Sequence, residues 1–265
     1  MTYEGNIRKM KTELDKPVKY SLPMSEQLVD MNELIGSRIQ FNFDGRINCI
    51  SCGKQTKTSF SQGFCYNCLQ TAPEASESIM RPELSKSHLG IARDMDWAEK
   101  HDLIDHFVYL AVSSDLKVGV TRNHQVPIRW IDQGASYAIK LAKTPNRHIA
   151  GIIEVFLKNH FTDKTNWRAM LKNEILSDFD LSSEKKKVLD LLPAELQKYV
   201  DEDNTITEIE YPVQHYPSTV KSVGFDKFPQ IEGTLAGIKG QYLIFDDDRV
   251  LNIRKHNGYY LTLNT

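Results

Sequence analysis

Four cysteines, and no others, stand in two matched pairs within twenty positions: Cys49-x2-Cys52, twelve residues, then Cys65-x2-Cys68. Two residues between thiols let each pair form a knuckle that offers two sulfurs to one ion. The intervening loop brings the second knuckle round to close a tetrahedron. Gly53 follows the first pair, where such a knuckle needs a permissive backbone. Four thiolates fill the coordination sphere, so the expected ion is zinc in a structural role, with no open position for water or substrate. The same pattern also admits four reduced thiols, or two disulfides in an oxidising compartment. The opening residues, MTYEGNIRKM, lack the apolar run of a secretory leader, and no stretch approaches the roughly 18 apolar residues of a membrane helix. The expectation is therefore a cytoplasmic protein without a membrane anchor, where this spacing reads as metal before disulfide.

With 265 residues, 40% of them hydrophobic, the chain can bury one large core or two modest ones. Ile39–Phe43 alternates as a strand, and Asp44-Gly45 before Arg46-Ile47-Asn48 reads as a hairpin turn. From Thr71 to Asp96 the chain is polar and irregular, with Pro73 and Pro82, as if wrapped over a neighbouring surface. Residues 107–112 and 116–120 read as strands joined by a turn at 113–115. The period then changes. Pro127 fits a first helical turn, and Ile128, Ile131, Ala135, Ala138, Ile139 and Ala142 recur at helical spacing. A second helix carries Ile149, Ile152, Ile153, Phe156 and Leu157; Asp163 is the expected cap of a third containing Trp167, Met170 and Leu171. Residues 182–200 add another helical stretch, interrupted near Pro193. Strand patterns at 234–238, 242–245, 250–253 and 259–263 end the chain. The predicted class is α+β, in three parts: a β element with the cysteine module (1–96), a central α/β domain with a helical extension (97–204), and a small β-rich domain (205–265).

The order of parts from Phe107 to Lys172 resembles the GIY-YIG nuclease domain. Val108-Tyr109 matches its first half-motif, and Lys117-Val118-Gly119 matches the second with Lys in place of Tyr. The resemblance implies that Arg129 is the helix arginine and Glu154 the metal-ligating carboxylate, with Asn166 or Trp167 at a position often polar or aromatic. The wider string also resembles an uncharacterised bacterial zinc-knuckle family of unknown function. Carrying that likeness are the cysteine knuckles, Val108-Tyr109-Leu110-Ala111, residues 118–122 and 129–135, Pro145-Asn146-Arg147 and Gly237–Tyr242. Its members can carry further cysteines near Ser78 and Ser85; with serines there, no second thiolate site is expected.

The chemistry this implies is phosphodiester hydrolysis, which needs a metal on the phosphate, a base near the water and positive charge for the developing anion. In that scheme Glu154 holds one Mg²⁺ or Mn²⁺, Tyr109 takes the proton with Lys117 lowering its pKa, and Arg129 braces the phosphate. Each residue also has a purely structural reading: Tyr109 as a cross-strand aromatic, Arg129 paired with Asp132, Glu154 on a solvated helix face. Between 117 and 172 ten basic residues meet only Asp132, Glu154 and Asp163, a local +7 within a chain of net charge -2. Arg122, Arg147, Lys158, Lys164 and Arg168 are the candidate phosphate contacts, and Trp130 and Trp167 stand among them as stacking platforms or as core. Three functions fit: a metal-dependent endonuclease acting on DNA or RNA, a non-catalytic nucleic-acid adaptor using the same face, or a zinc-stabilised protein-interaction scaffold.

Overall fold

The computed structural model describes residues 1–160, 166–176 and 180–265. The first strands are β1 (Thr2–Asn6), β2 (Lys11–Glu13), β3 (Lys19–Met24), β4 (Gln27–Asp30), β5 (Arg38–Asn48) and β6 (Gln55–Thr56), followed by helices α1 (Tyr66–Thr71) and α2 (Met95–His101). The middle of the chain holds β7 (His106–Val112), β8 (Leu116–Arg122), α3 (Ile128–Asp132), β9 (Tyr137–Thr144) and α4 (Arg147–Lys158). Helices α5 (Trp167–Leu171), α6 (Leu181–Leu191) and α7 (Ala194–Gln197) follow. The last strands are β10 (Thr207–Glu208), β11 (Lys221–Val223), β12 (Gln230–Lys239), β13 (Tyr242–Phe245), β14 (Arg249–Asn252) and β15 (Tyr259–Asn264). The chain divides into two units: 1–70 with 131–134 and 209–265, and 71–130 with 135–208.

In the first unit the long strand β5 is paired on both edges. β15 runs antiparallel to it from Tyr259 opposite Ile47 to Asn264 opposite Gln40, and β12 from Gln230 opposite Asn42 to Thr234 opposite Arg38. Ile39, Phe41 and Ile47 point into the core, where Phe41 meets Phe225 edge-on at 6.1 Å. The resulting eight-stranded sheet has the order β1-β15-β5-β12-β13-β14-β11, with β6 on β5. Strands from both ends of the sequence therefore build one sheet, so the C-terminal strand patterns at 234–263 are completed by N-terminal strands, as the sequence also allowed. Asp44-Gly45 is no hairpin turn. Strand β5 passes through it, and the register against β15 slips there, from Tyr259–Ile47 to Leu261–Phe43. Asp44 accepts from the Arg46 backbone N–H at 3.0 Å, and Gly45 takes a left-handed φ of 91°, which absorbs the extra residues as a bulge.

The second unit is built on a sheet of order β10-β9-β7-β8. Val108, Leu110 and Val112 of β7 share one face with Val118, Ile139 and Leu141. Against that face pack Ala150, Ile153 and Leu157 of α4 and Leu181, Val188 and Leu192 of the α6 region. The helix expected from 128 to 142 stops at Asp132. Gly134 turns with φ 72°, and the next residues extend into β9, whose Ala138, Ile139, Leu141 and Ala142 are fully buried. Apolar residues spaced by three and four in this segment came from two elements and not from one helical face. The α5 helix forms as expected, but its cap is Asn166, whose side chain accepts from the N–H groups of Arg168 and Ala169; Asp163 lies outside the described residues.

The irregular segment after the cysteines is a run of single 3₁₀ turns at 73–75, 77–79, 82–84 and 87–89. It packs against α4 at Gly151, where a Cβ would stand 2.1 Å from the Glu83 backbone nitrogen. That close approach explains a glycine in the middle of a helix. Replacing a helical glycine with alanine ordinarily stabilises by about 1 kcal/mol. Here Gly151→Ala should instead destabilise by about 1–3 kcal/mol through overpacking, as read from urea or thermal unfolding; a gain in stability would show that the 82–83 backbone can retreat.

Candidate functional site

The strongest constellation grows directly out of strand β5, which ends at Asn48, one residue before Cys49. The Cys49 carbonyl accepts from Gly53 N–H and the Cys49 N–H donates to the Lys54 carbonyl, both at 2.9 Å, forming the first knuckle; Gly53 sits at φ 73°. Ile50 N–H donates to the Gly63 carbonyl, which ties the loop back, and α1 carries Cys68. Cys65 N–H points at the Cys49 sulfur at 3.2 Å. All four sulfurs lie within 4.8 Å of one another, and Cys52 and Cys65 are 3.9 Å apart. A tetrahedron of sulfurs about 2.3 Å from zinc has edges of roughly 3.8 Å, whereas a disulfide needs about 2.05 Å. The four thiols are unbonded and fit a single ion such as zinc.

Their electrostatics favour a cation. Burial opposes ionisation of the Cys49 thiol, but N–H donors from Cys52, Cys65 and Ser51 outweigh it and bring it down to about 6. Burial, and then contacts with Cys52, Cys65 and Cys49, push Cys68 up to about 12. Binding of a cation would favour the ionised form of all four thiols.

The residues predicted to hydrolyse phosphodiesters do not form one open site. Tyr109 is fully buried, with its ring edge-on to Trp130 at 5.9 Å and its hydroxyl over Gly119, where a Cβ would come within 2.5 Å. Alternation along β7 and β8 puts Tyr109, Gly119 and Lys117 on one face of the sheet, while α4 packs on the other with Val108 and Leu110. Glu154 rides on α4, is 8% exposed, and makes an ion pair with Lys158 at 3.6 Å. Arg129 is half-buried; like Glu154, it acts on the charge of Arg147. Tyr109 and Lys117 lie on the face of the sheet opposite α4, which carries Glu154. Among the described residues no second group of three His, Cys, Asp or Glu side chains converges as metal ligands, so Glu154 does not belong to such a set.

Most of the predicted phosphate contacts are engaged within the fold. Arg147 is buried, donating from Nε to the Ser78 carbonyl at 2.8 Å and from Nη2 to the Ile79 carbonyl at 2.9 Å. Arg122 donates to the His101 carbonyl at 3.1 Å, and burial lowers its pKa. Lys158 pairs with Glu154 at 3.6 Å, and among the other bases of the segment Lys140, Lys143 and Lys172 pair with Asp203, Asp105 and Glu174. Arg168 is exposed beside Trp167, 4.4 Å from the ring centroid. Lys164 lies outside the described residues. Asp132 does not pair with Arg129; it binds Lys9 at 2.6 Å and accepts from Gln241 at 2.8 Å.

Two features escaped the sequence reading. Residues 45–70 contain Arg46, Lys54 and Lys57 but no carboxylate, and these cations are exposed together with Tyr66, which is 65% accessible. That signal was readable in the sequence, but the larger charge excess downstream hid it. The second is a buried Asp102–Ser85–Ser87 cluster, which depends on tertiary contacts and has no local signature. Among the described residues no helix is long and apolar enough to cross a membrane.

A protein-family model described as "Protein of unknown function (DUF2797)" matches residues 36–261. No curated protein and no solved structure matches the chain.

The metal centre makes a direct prediction. Purified protein should carry one thiophilic ion per chain by elemental analysis, and Cys52→Ser or Cys65→Ser should remove it and expose amides 46–70 to hydrogen exchange. Because protons compete with the ion for the thiolates, metal release to a chromogenic chelator should accelerate as pH falls.

Proposed function

This chain belongs to the family described as DUF2797, and we propose that it is a zinc-stabilised nucleic-acid-binding protein that contacts single-stranded or unpaired segments through its cysteine knuckles. One observation carries the reading: the exposed part of the knuckle region offers Arg46, Lys54, Lys57 and Tyr66 with no carboxylate between residues 45 and 70. Cations track phosphates and an exposed aromatic stacks on bases, which is how zinc knuckles and single-strand binders work. Asp44 does pair with Arg46, but an exposed ion pair is worth at most about 1 kcal/mol and yields to a phosphate. Zinc suits an all-thiolate tetrahedral set and, with its shell full, acts by holding the knuckle in shape.

For the central unit, a GIY-YIG-like arrangement is supported by the order of its parts: an antiparallel hairpin, a short helix with Arg129, a third strand beside β7, and a helix with Glu154. In this reading the arrangement serves without cleavage. Burial of Glu154 beside Lys158 and the full burial of Tyr109 weigh against an open hydrolytic centre with Mg²⁺ or Mn²⁺.

The test is fluorescence anisotropy with labelled single-stranded RNA and DNA across a salt series. Lys54→Glu with Lys57→Glu should weaken binding and lower the log–log salt slope by roughly 0.7 for each phosphate no longer neutralised. Tyr66→Ala should cost about 1–3 kcal/mol by removing a platform on which a base stacks, with metal content unchanged in all variants. Absence of binding at low salt would refute the proposal. Divalent-metal-dependent cleavage abolished by Glu154→Ala would restore the nuclease reading in its place.

A further inference from the structure

Within the second unit the 3₁₀ turns and α2 enclose a cleft of about 420 Å³ that plays no part in the knuckle or in the hydrolytic scheme. A volume of this size lies in the range of small-molecule sites. Its floor is polar and buried. Asp102 is 3% exposed, and its Oδ2 accepts from the Ser87 hydroxyl at 3.0 Å and the Ser85 hydroxyl at 3.3 Å. Those two serines, 3% and 4% exposed, are themselves 3.2 Å apart. The other carboxylate oxygen, Oδ1, has no hydrogen-bond partner; Arg147 Nε stands 3.9 Å away. That oxygen is closed to solvent and faces the Arg147 charge, so what the floor presents to the cleft is the serine pair and the rest of the carboxylate. The walls contrast with this floor: Leu84 and Ile91 line the cleft while remaining 38% and 60% exposed. Lys86 and Arg93 also line it, the latter anchored by its bond to the Ala72 carbonyl at 2.8 Å, together with the exposed carboxylates of Glu77 and Asp94.

The charge behind the floor narrows the ligand. Arg147, buried 3.9 Å from Asp102, and the half-buried Arg122 both interact electrostatically with Asp102, so an organic cation entering here would meet their positive charge. A neutral group rich in N–H donors escapes that repulsion and still satisfies a carboxylate and two hydroxyls. With flanking apolar walls and a rim of balanced charge, Lys86 and Arg93 against Glu77 and Asp94, these features describe a nucleobase with its sugar. We infer that this cleft is a nucleobase-binding site, with Asp102, Ser85 and Ser87 reading the N–H edge of the base. The inference is independent of the knuckle proposal, since none of its residues lies between 45 and 70. The base can come from a free nucleoside or nucleotide, or from an unpaired position of a strand.

Isothermal titration of the full chain with the common nucleosides and their monophosphates, together with short oligonucleotides, decides it. Saturable binding of at least one nucleoside or nucleotide is expected from a free source. Oligonucleotide binding that mononucleosides do not match in affinity is expected from a strand source. Ala92→Trp, at an exposed wall position, should fill the cleft and abolish that binding without touching the buried network. Ser87→Ala should weaken it by a few-fold to about tenfold. The Lys54→Glu, Lys57→Glu variant should leave nucleoside binding intact, which separates this site from the knuckle. Absence of binding by every nucleoside, nucleotide and oligonucleotide, or binding unchanged in Ala92→Trp, would overturn the assignment.

Discussion

A strand paired along both edges, with one face buried, cannot slip by one residue without turning its apolar side chains to water. β5 is held in this way by β15 and β12, and the first unit depends on it. Its register fixes where the strand ends, and the cysteine module begins one residue later. Gly258, just before β15, crosses so close to β5 that a Cβ there would lie 2.1 Å from the Asn48 carbonyl oxygen. Asn48 N–H donates to the Gly258 carbonyl, and its side chain donates to the Gly53 carbonyl inside the knuckle. The geometry of the sulfurs is therefore inherited from a sheet assembled from both ends of the chain. A metal ion completes the knuckle, but the sheet has already aimed it.

The charge pattern shows why a window of sequence misleads about a surface. The segment 117–172 carries ten basic residues and three acidic ones, yet Lys140, Lys143 and Lys172 find Asp203, Asp105 and Glu174 outside it. Arg122 and Arg147 spend their donors on backbone carbonyls. Net charge along a chain predicts a field only where the fold brings no counter-ions from elsewhere. The knuckle is the reverse case. It is short and local, so Lys54 and Lys57 survive folding as exposed charge, while Arg46 pairs with Asp44 and lies 3.8 Å over the Tyr260 ring.

Legibility in the sequence follows the same division between local and distant causes. The cysteine spacing, the β7–β8 hairpin, helix α4 and the final strands were all readable, because period and turn chemistry act within a few residues. The helix expected over 128–142 failed because apolar residues from α3 and β9 happened to align at spacings of three and four. Gly134 was the marker that separated them. The turn expected at Asp44-Gly45 failed because strand partners arriving from residues 230–264 hold the chain extended, and no local signal carries that. Tyr109 and Glu154 were each found on the predicted element. Which side of the sheet each faces was fixed by strand alternation against a helix that the sequence alone did not dock.

The segment from 71 to 90 poses the opposite problem, since it is ordered with little apolar surface of its own. Single 3₁₀ turns leave carbonyls without partners inside their own segment, and such groups need donors if water is excluded. α4 supplies them: Arg147 takes the carbonyls of Ser78 and Ile79, and His148 Nδ1 meets the Glu83 carbonyl at 2.8 Å. The Asp102 carbonyl accepts from Arg147 N–H at 2.8 Å, which seats the end of α2 on the same helix terminus. Buried donors thus replace a hydrophobic core as the fastening, with Gly151 allowing the backbones to touch. A wall fastened by hydrogen bonds can stand away from its neighbour wherever no donor reaches it. The cleft above Asp102 is the space this leaves, so its shape is a consequence of how the segment is held.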